Sequence, residues 1–320
     1  MSEQAPAARS QPEREAGATP TGDWTVERLL TWTREYFGRQ KLESPRLCAE
    51  ILLAHALGCQ RLQLYTRYDA VPAAPLLDRF RTMVREAAAG KPISYLTGTK
   101  DFFSLTFEVT PDVLVPRPET EVLVERAIDL VRKRLTHGRD PAAGPLEILD
   151  LCTGSGCIAV ALARHLGAAR LLASDCSEPA LGVARRNAER HGVSERIEFR
   201  LGDLFACWEG QAFDMIVSNP PYIGVAEATS LPVTVRDFEP HVALFAGPDG
   251  LAILRRIAEQ AAGFLRPGGR LLLEVGYRQA GAVRRLLEDC GWDDIVIFKD
   301  HSQHERVIQA GREGRTTTGE

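Results

Sequence analysis

Leu149-Asp150-Leu151-Cys152-Thr153-Gly154-Ser155-Gly156 is the stretch on which the fold turns. It closes a short apolar strand, Leu146 to Leu151, and runs into a helix from Ile158 to Leu166. Glycines between a strand and a helix let a ligand come close to the backbone. The pattern then repeats. A second strand, Leu171 to Ser174, ends at Asp175. A third, Arg196 to Arg200, is closed by Gly202-Asp203, and a fourth covers Phe213 to Val217. Strands alternating with helices predict an α/β fold with a mostly parallel, doubly wound sheet. Ligands of such sheets lie beyond the carboxyl ends of the strands. The glycine loop, Asp175, Asp203 and Asn219 all fall at those ends, so one crevice is expected to hold them.

The fourth strand delivers Ser218-Asn219-Pro220-Pro221-Tyr222. Two consecutive prolines remove two backbone donors and fix two φ angles. The loop is therefore stiff and rich in free carbonyls. Asn219 adds an amide oxygen as acceptor, and Tyr222 adds a flat face. This set suits gripping a planar –NH2 group by both of its hydrogens while a ring packs on it. The glycine loop by itself admits two cofactors. Gly154-Ser155-Gly156-Cys157-Ile158-Ala159 fits the dinucleotide pattern with its permitted final Ala, and Asp175 stands about 20 residues on, where a carboxylate takes ribose hydroxyls. Against a nicotinamide dehydrogenase, the Asn-Pro-Pro-Tyr loop has no role in hydride transfer, and no obvious Lys or Tyr base stands near the end of the fourth strand. The alternative, S-adenosylmethionine, has a ribose and adenine but no pyrophosphate. Its methyl group needs only an in-line nucleophile, which a gripped –NH2 supplies.

The rest of the chain narrows the class. A length of 320 residues predicts one large or two medium domains. With 44% hydrophobic and 26% charged residues, the composition is that of an ordinary soluble enzyme. The formal net charge of -4 shows none of the basic footprint of a phosphate-contacting protein. Seven cysteines without a Cys-x-x-Cys pair argue against a disulfide framework and a zinc ribbon, and for a reducing, cytoplasmic setting. No apolar run approaches the length of a membrane span. No metal ligand set stands out. The two histidines of Lys299-Asp300-His301-Ser302-Gln303-His304 lack helical spacing and read as a turn between strands.

Residues 1–22 and 311–320 read as disordered tails. Residues 23–92 carry three helical patterns, capped by Thr25 at the first and by Ser44-Pro45 at the second, and form a small all-helical unit expected to serve substrate recognition. In 93–118, Phe103, Leu105, Phe107 and Val109 alternate with polar residues; with Val113 to Val115 they predict a β-hairpin connector. The catalytic domain is expected over 119–310. Pro116-Arg117-Pro118-Glu119-Thr120-Glu121 reads as a helix start, with its carboxylates in the first turn, or as a loop folded over a cofactor.

Several separate pieces now carry a resemblance. They are the Pro-Arg-Pro-Glu-Thr-Glu run at 116–121, the glycine loop at 149–156, and Val217-Ser218-Asn219-Pro220-Pro221-Tyr222-Ile223. Glu239-Pro240 with Ala243-Leu244, Asp249-Gly250-Leu251 and Pro267-Gly268-Gly269 follow in the same order. Over residues from about 90 to 310 the chain resembles the glutamine methyltransferases that modify peptide chain release factors, the HemK or PrmC family. The resemblance implies a seven-stranded, Rossmann-like S-adenosylmethionine-dependent methyltransferase sheet whose last strand, near Glu305 to Gln309, runs antiparallel. It implies the glutamine of a release factor's Gly-Gly-Gln loop as acceptor. By position, Cys152, Thr153, Gly154, Ser155 and Gly156 would line the methionine part of the cofactor, Asp175 would bind the ribose, and Asp203 with Leu204 would lie near the adenine. Asn219 would accept one amide hydrogen and the Pro220 carbonyl the other, with Pro221 completing the loop and Tyr222 packing on the amide plane. Cys152 replaces the family's usual first glycine, and Leu204 stands where an aromatic is frequent. Two other acceptors remain within the same chemistry: the glutamine of a ribosomal protein, and the exocyclic amine of adenine in a nucleic acid. Loss of catalysis, leaving a binding module, is opposed by Asp175, Asn219 and Tyr222 being present.

Overall fold

The computed structural model describes residues 23–136 and 144–312. The expected tail 1–22, and that after Arg312, lie outside them. The chain divides into two compact units, 1–84 and 85–320.

The first unit holds α1 (Val26–Arg39), α2 (Pro45–Leu57), α3 (Arg61–Tyr65) and most of α4 (Ala74–Ala88). Thr25 caps α1, its hydroxyl accepting from the Arg28 N–H at 3.3 Å. Ser44 does not cap α2 as expected. Its φ of 48° turns the backbone left-handed, and the side chain makes no capping bond. Helix α3 has no counterpart in the sequence reading, because five residues are too few to show a period. It is held by the buried Glu50, whose carboxylate accepts from Arg46, Arg61 and the Tyr65 hydroxyl.

The second unit opens with α5 (Ile93–Thr97) and a hairpin of β1 (Thr99–Phe102) and β2 (Leu105–Glu108). The hairpin is shifted from its expected place. Phe103 and Ser104, with φ of 49° and 60°, are its turn rather than the start of its first strand. Val113 to Val115 form no strand; Val113 and Val115 are buried. The alternation of Leu105 and Phe107 was real, but it could not say on which side the partner strand lay.

A 3-10 turn at Pro118–Thr120 leads into α6 (Glu121–Thr136). There follow β3 (Leu146–Leu151), α7 (Cys157–His165), β4 (Ala169–Asp175), α8 (Glu178–Arg190), β5 (Ile197–Leu201) and β6 (Phe213–Ser218). After the short α9 (Val233–Arg236) come α10 (Ala252–Gln260), β7 (Leu265–Glu274), α11 (Ala280–Asp289), β8 (Asp293–Lys299) and β9 (Glu305–Gly311). The seven-stranded sheet has the order β5-β4-β3-β6-β7-β9-β8. Strands β3 to β7 are parallel, and β9 inserts antiparallel between β7 and β8. Gly311, expected in the tail, ends β9. Pro267-Gly268-Gly269 lies inside β7, as an irregularity against Phe213–Met215, rather than before the strand.

Alternation along β3 builds two cores. Leu146 and Ile148 pack with α6 and α7, whereas Leu149 and Leu151 face α10, α11, Trp208 and Trp292. The amino ends of the five parallel strands are tied by a ladder of alternating charge. It runs from Glu198 to Arg170, Glu147, Arg266 and Asp214, one residue from each strand. The opposite, carboxyl ends carry no such ladder among the described residues and are left to loops. The links are unequal, because exposed pairs contribute little and buried ones leave an uncompensated charge when broken. Asp214 has a side-chain exposure of 4%, whereas Arg170 is half exposed. Arg170→Ala is therefore expected to lower stability by less than ~1 kcal/mol, and Arg266→Ala by about 2–3 kcal/mol, in urea unfolding followed by circular dichroism.

Candidate active site

The carboxyl ends of β3, β4 and β6 open into a cavity. Its walls include Cys152 to Ser155, Asp175 to Ser177, Arg117, Thr120 and Asn219. At the turn after β3, Cys152 takes the left-handed conformation with φ 58°, and Gly154 follows with φ 54°. Nothing lies within 4 Å of where a side chain on Gly154 would begin. The turn is thus a cradle that any larger residue would fill.

Two carboxylates shape this cradle. Asp175 Oδ2 accepts from the Gly154 N–H and Oδ1 from the Ser177 N–H, both at 2.9 Å. Asp175 lines the cavity wall and its two oxygens keep acceptor capacity, which is what two vicinal hydroxyls need. Burial raises the Asp175 carboxyl above the usual carboxylate range, and the N–H groups of Gly154, Ser177 and Cys176 oppose that rise. Asp150 is fully buried beneath the turn. Its Oδ2 accepts from the Thr153 hydroxyl at 2.6 Å and from the Ala159 N–H at 3.2 Å, while Oδ1 has no partner. Burial pushes its carboxyl up to about 7, against the pull of Thr153 and Ala159. The amino end of α7 therefore faces an acid of the chain itself. A pyrophosphate would need that helix end, so the cradle fits a nucleoside without phosphates better than a dinucleotide.

The Asn-Pro-Pro-Tyr loop is braced from four sides. Asn219 Nδ2 donates to the Thr120 hydroxyl at 3.1 Å, so Thr120 of the Pro-Arg-Pro-Glu-Thr-Glu run fixes how the amide is turned. Among the described residues no hydrogen bond reaches the Asn219 side-chain oxygen or the Pro220 carbonyl. The Tyr222 hydroxyl donates to Glu274 Oε1 at 3.2 Å, and its carbonyl accepts from Gln279 Nε2 at 2.8 Å. Burial and the neighbouring Glu274 hold the Tyr222 phenol well above its usual range. Arg117 is paired with Glu239, which is 4% exposed and also takes the Val115 N–H. Gly250 lets the chain close: with φ 74°, a Cβ there would sit 2.3 Å from the Tyr222 carbonyl oxygen.

The expected residues do not all converge. Cys152 to Ser155, Asp175, Asn219 and Pro221 line the cavity, and Pro220 and Tyr222 belong to the braced loop beside it. Gly156 sits at the cap of α7 with φ 77°. Asp203 and Leu204 are not among the lining residues. Asp203 is drawn outward into a two-pronged pair with Arg256 at 3.2 and 2.7 Å. Leu204 turns into the left-handed region, φ 52°, and buries in the α10–α11 core. The sequence reading missed Glu274, Arg117's partner Glu239 and the hidden acid Asp150. Glu239 and Asp150 stood within quoted motifs, and only the fold shows what they face. Among the described residues, no group of three or more His, Cys, Asp or Glu side chains is placed to hold a metal ion.

Comparison with known proteins agrees with this geometry. The PrmC N-terminal domain model matches residues 28–98, and the methyltransferase small domain model matches residues 133–236. The release factor glutamine methyltransferase of Rhodopirellula baltica is 45% identical over 287 residues, covering 89% of this chain and 95% of that protein. Its counterpart in Chlorobaculum tepidum is 44% identical over 289 residues, covering 89% and 96%. Among solved structures, the hMettl16 catalytic domain in complex with MAT2A 3'UTR hairpin 1 superposes with a TM-score of 0.51 at 15% identity, covering 78% of this chain and 85% of that one. At that identity the likeness is one of fold.

Two outcomes test the site. Gly250→Ala forces a side chain onto the Tyr222 carbonyl in a left-handed backbone; it is expected to cost about 2–3 kcal/mol in urea unfolding. Asp150 ionises near pH 4 when unfolded but only near 7 when folded. Folding therefore binds a proton between those values, and this contribution to stability is lost as pH rises from about 4 to about 7. Relative to wild type, Asp150→Asn should flatten that fall by up to about 1.4 kcal/mol per pH unit, measured by urea unfolding between pH 5 and 8.

Proposed function

The chain belongs to the release factor glutamine methyltransferase family and is an S-adenosylmethionine-dependent methyltransferase; on that premise we propose that it methylates the side-chain amide nitrogen of the glutamine in the Gly-Gly-Gln motif of peptide chain release factors. The observation that carries this reading is the pair of idle acceptors. Asn219 has its nitrogen tied to Thr120, so its oxygen is the end left for a ligand, and the Pro220 carbonyl follows one residue later. A primary amide offers two N–H groups in one plane, and two acceptors are what it requires.

An amide nitrogen is a poor nucleophile because its lone pair is delocalised into the carbonyl. Acceptors on both N–H groups draw electron density toward nitrogen and aim it at the incoming carbon. Tyr222 packs on the amide plane and fixes the approach. The chain's contribution is orientation and electrostatics, with no covalent intermediate. S-adenosylmethionine, when bound, supplies a methyl carbon activated by its sulfonium. Cys152 to Gly156 would hold its methionine part and Asp175 its ribose, through the acceptor capacity left on each carboxylate oxygen. The proton leaves the nitrogen after transfer, so no strong base is assigned. The helical residues 23–92 are proposed to bind the release factor away from the glutamine, and residues 119–310 to carry the chemistry.

Intact-mass spectrometry of a release factor incubated with the protein and S-adenosylmethionine tests the reading. One added methyl group is expected, and none on a release factor whose Gly-Gly-Gln glutamine is replaced. Asn219→Ala should lower the rate by at least about 100-fold, the scale of losing an oriented polar contact to the reacting group. A release factor left unmodified while cofactor still binds would discard the substrate. Deleting residues 1–92 should slow methylation of whole release factor far more than that of a short Gly-Gly-Gln peptide; equal losses on both would remove the recognition role.

A further inference from the structure

Glu274, the last residue of β7, is 1% exposed and has no part in the transfer described above. Its Oε1 accepts from the Tyr222 hydroxyl, and its Oε2 has no hydrogen-bond partner. A buried carboxylate with an idle oxygen is costly and calls for a reason. Thr120, 2% exposed, stands beside it, and its hydroxyl pulls the Glu274 acidity back toward normal. That hydroxyl accepts from Asn219 Nδ2. A hydroxyl that accepts still has one proton to give, and the Glu274 carboxylate is the acceptor beside it.

We infer that Glu274 is a positioning residue for methyl transfer: through Thr120 it holds the Asn219 amide with its oxygen toward the substrate, and through the Tyr222 hydroxyl it holds the ring against it. This rests on the reading of Asn219 as the grip on the substrate amide. The chain of donors has a direction. An anionic Glu274 only accepts, so Thr120 must donate to it and can only accept from Asn219. The asparagine nitrogen is then turned to Thr120 and its oxygen away. A neutral Glu274, or a glutamine in its place, can donate toward Thr120. The threonine proton is then free to turn to the Asn219 oxygen, and the amide can flip. Its –NH2 would face the substrate's own –NH2, donor against donor.

The groups that bear on Glu274 come from four elements. Glu119 and Thr120 lie in the 3-10 turn, Tyr222 in the Asn-Pro-Pro-Tyr loop, Arg306 on β9 and Cys157 at the start of α7. Burial raises the Glu274 carboxyl to about 7; Thr120, Tyr222 and Arg306 oppose the rise and Glu119 adds to it. The chain of donors therefore turns over near neutral pH, with the active arrangement on the alkaline side.

The test compares wild type with Glu274→Gln, Thr120→Val, Thr120→Ser and the double variant Thr120→Val/Glu274→Gln. Methyl transfer to a release factor gives kcat and KM from pH 6 to 8.5, and calorimetry gives the Kd for S-adenosylmethionine. Glu274→Gln and Thr120→Val should each lower kcat about tenfold, the scale of one misdirected hydrogen bond, with the cofactor Kd unchanged. Wild-type kcat should rise through pH 7, and this rise should vanish in both variants. Thr120→Ser, which keeps the hydroxyl, should keep both rate and pH profile. The double variant should lose no more than either single one, because both break the same chain. A wild-type kcat in Thr120→Val, or losses that multiply in the double variant, would overturn the inference. A second readout needs no substrate: the side-chain amide resonance of Asn219 in protein labelled with 15N-asparagine. It should move between pH 6 and 8 in wild type and stay still in Glu274→Gln; movement that survives in that variant would also overturn it. If wild-type protein methylates no release factor, the functional reading fails, and the Asn219 resonance still decides the role of Glu274.

Discussion

The hydrogen bond from Asn219 to Thr120 settles which end of an asparagine amide faces the cavity. The two ends are alike in shape and opposite in polarity, so without that bond the site would present a donor as readily as an acceptor. Almost every other distinctive piece of the second unit serves the loop in which Asn219 sits. Gln279 holds the Tyr222 carbonyl, Gly250 lets the following chain pass against it, and Glu274 holds the phenol. Arg117, three residues before Thr120, is clamped by Glu239, which fixes the turn that carries the threonine. The stiffness supplied by two prolines is thus completed by tertiary contacts from four separate segments.

This convergence explains what the sequence could and could not reveal. Strand periodicity and the glycine turn were enough for the sheet, because apolar runs separated by helical patterns admit few topologies. Asp175 was found for the same reason: a fixed spacing after a glycine loop places it at the end of the next strand. The roles of the scattered short motifs were not legible. Glu239 and Arg117 are 122 residues apart, and no local pattern pairs them. Glu274 reads as the polar end of a buried strand until the fold brings Thr120 and Tyr222 to it. Asp203 shows the converse. The resemblance places it near the adenine; in the fold its carboxylate is paired with Arg256, 53 residues on, and it is not among the residues lining the cavity. The hairpin was misplaced because alternation sets the faces of a strand and not its partner.

Two buried acids with idle oxygens, Asp150 and Glu274, stand near the carboxyl ends of strands β3 and β7. Neither is paired with a cation at hydrogen-bond distance, and both are pushed up to about 7. Charge ladders of the cheaper kind are kept at the other end of the sheet, where the groups are partly solvated. The fold thus places its buried acids with idle oxygens near the carboxyl ends of the strands and its paired charges where strands begin. That separation is what lets the carboxyl-end loops be shaped for a task without loosening the register of the strands beneath them.

The placement of β9 carries a consequence for synthesis. It is the last described strand in the chain, yet it lies inside the sheet, with β7 on one side and β8 on the other. On a ribosome, β7 emerges well before its neighbour and must wait with one edge open. Val307 pairs with Glu274, and the Arg306 carbonyl accepts from the Val275 N–H, so the strand that seals the sheet also covers the carboxylate under the loop. A nascent chain halted before Glu305 would have its glycine turn and its Asn-Pro-Pro-Tyr sequence but a wet, unpaired Glu274. Closure of the site from the β7 side therefore waits on the synthesis of β9.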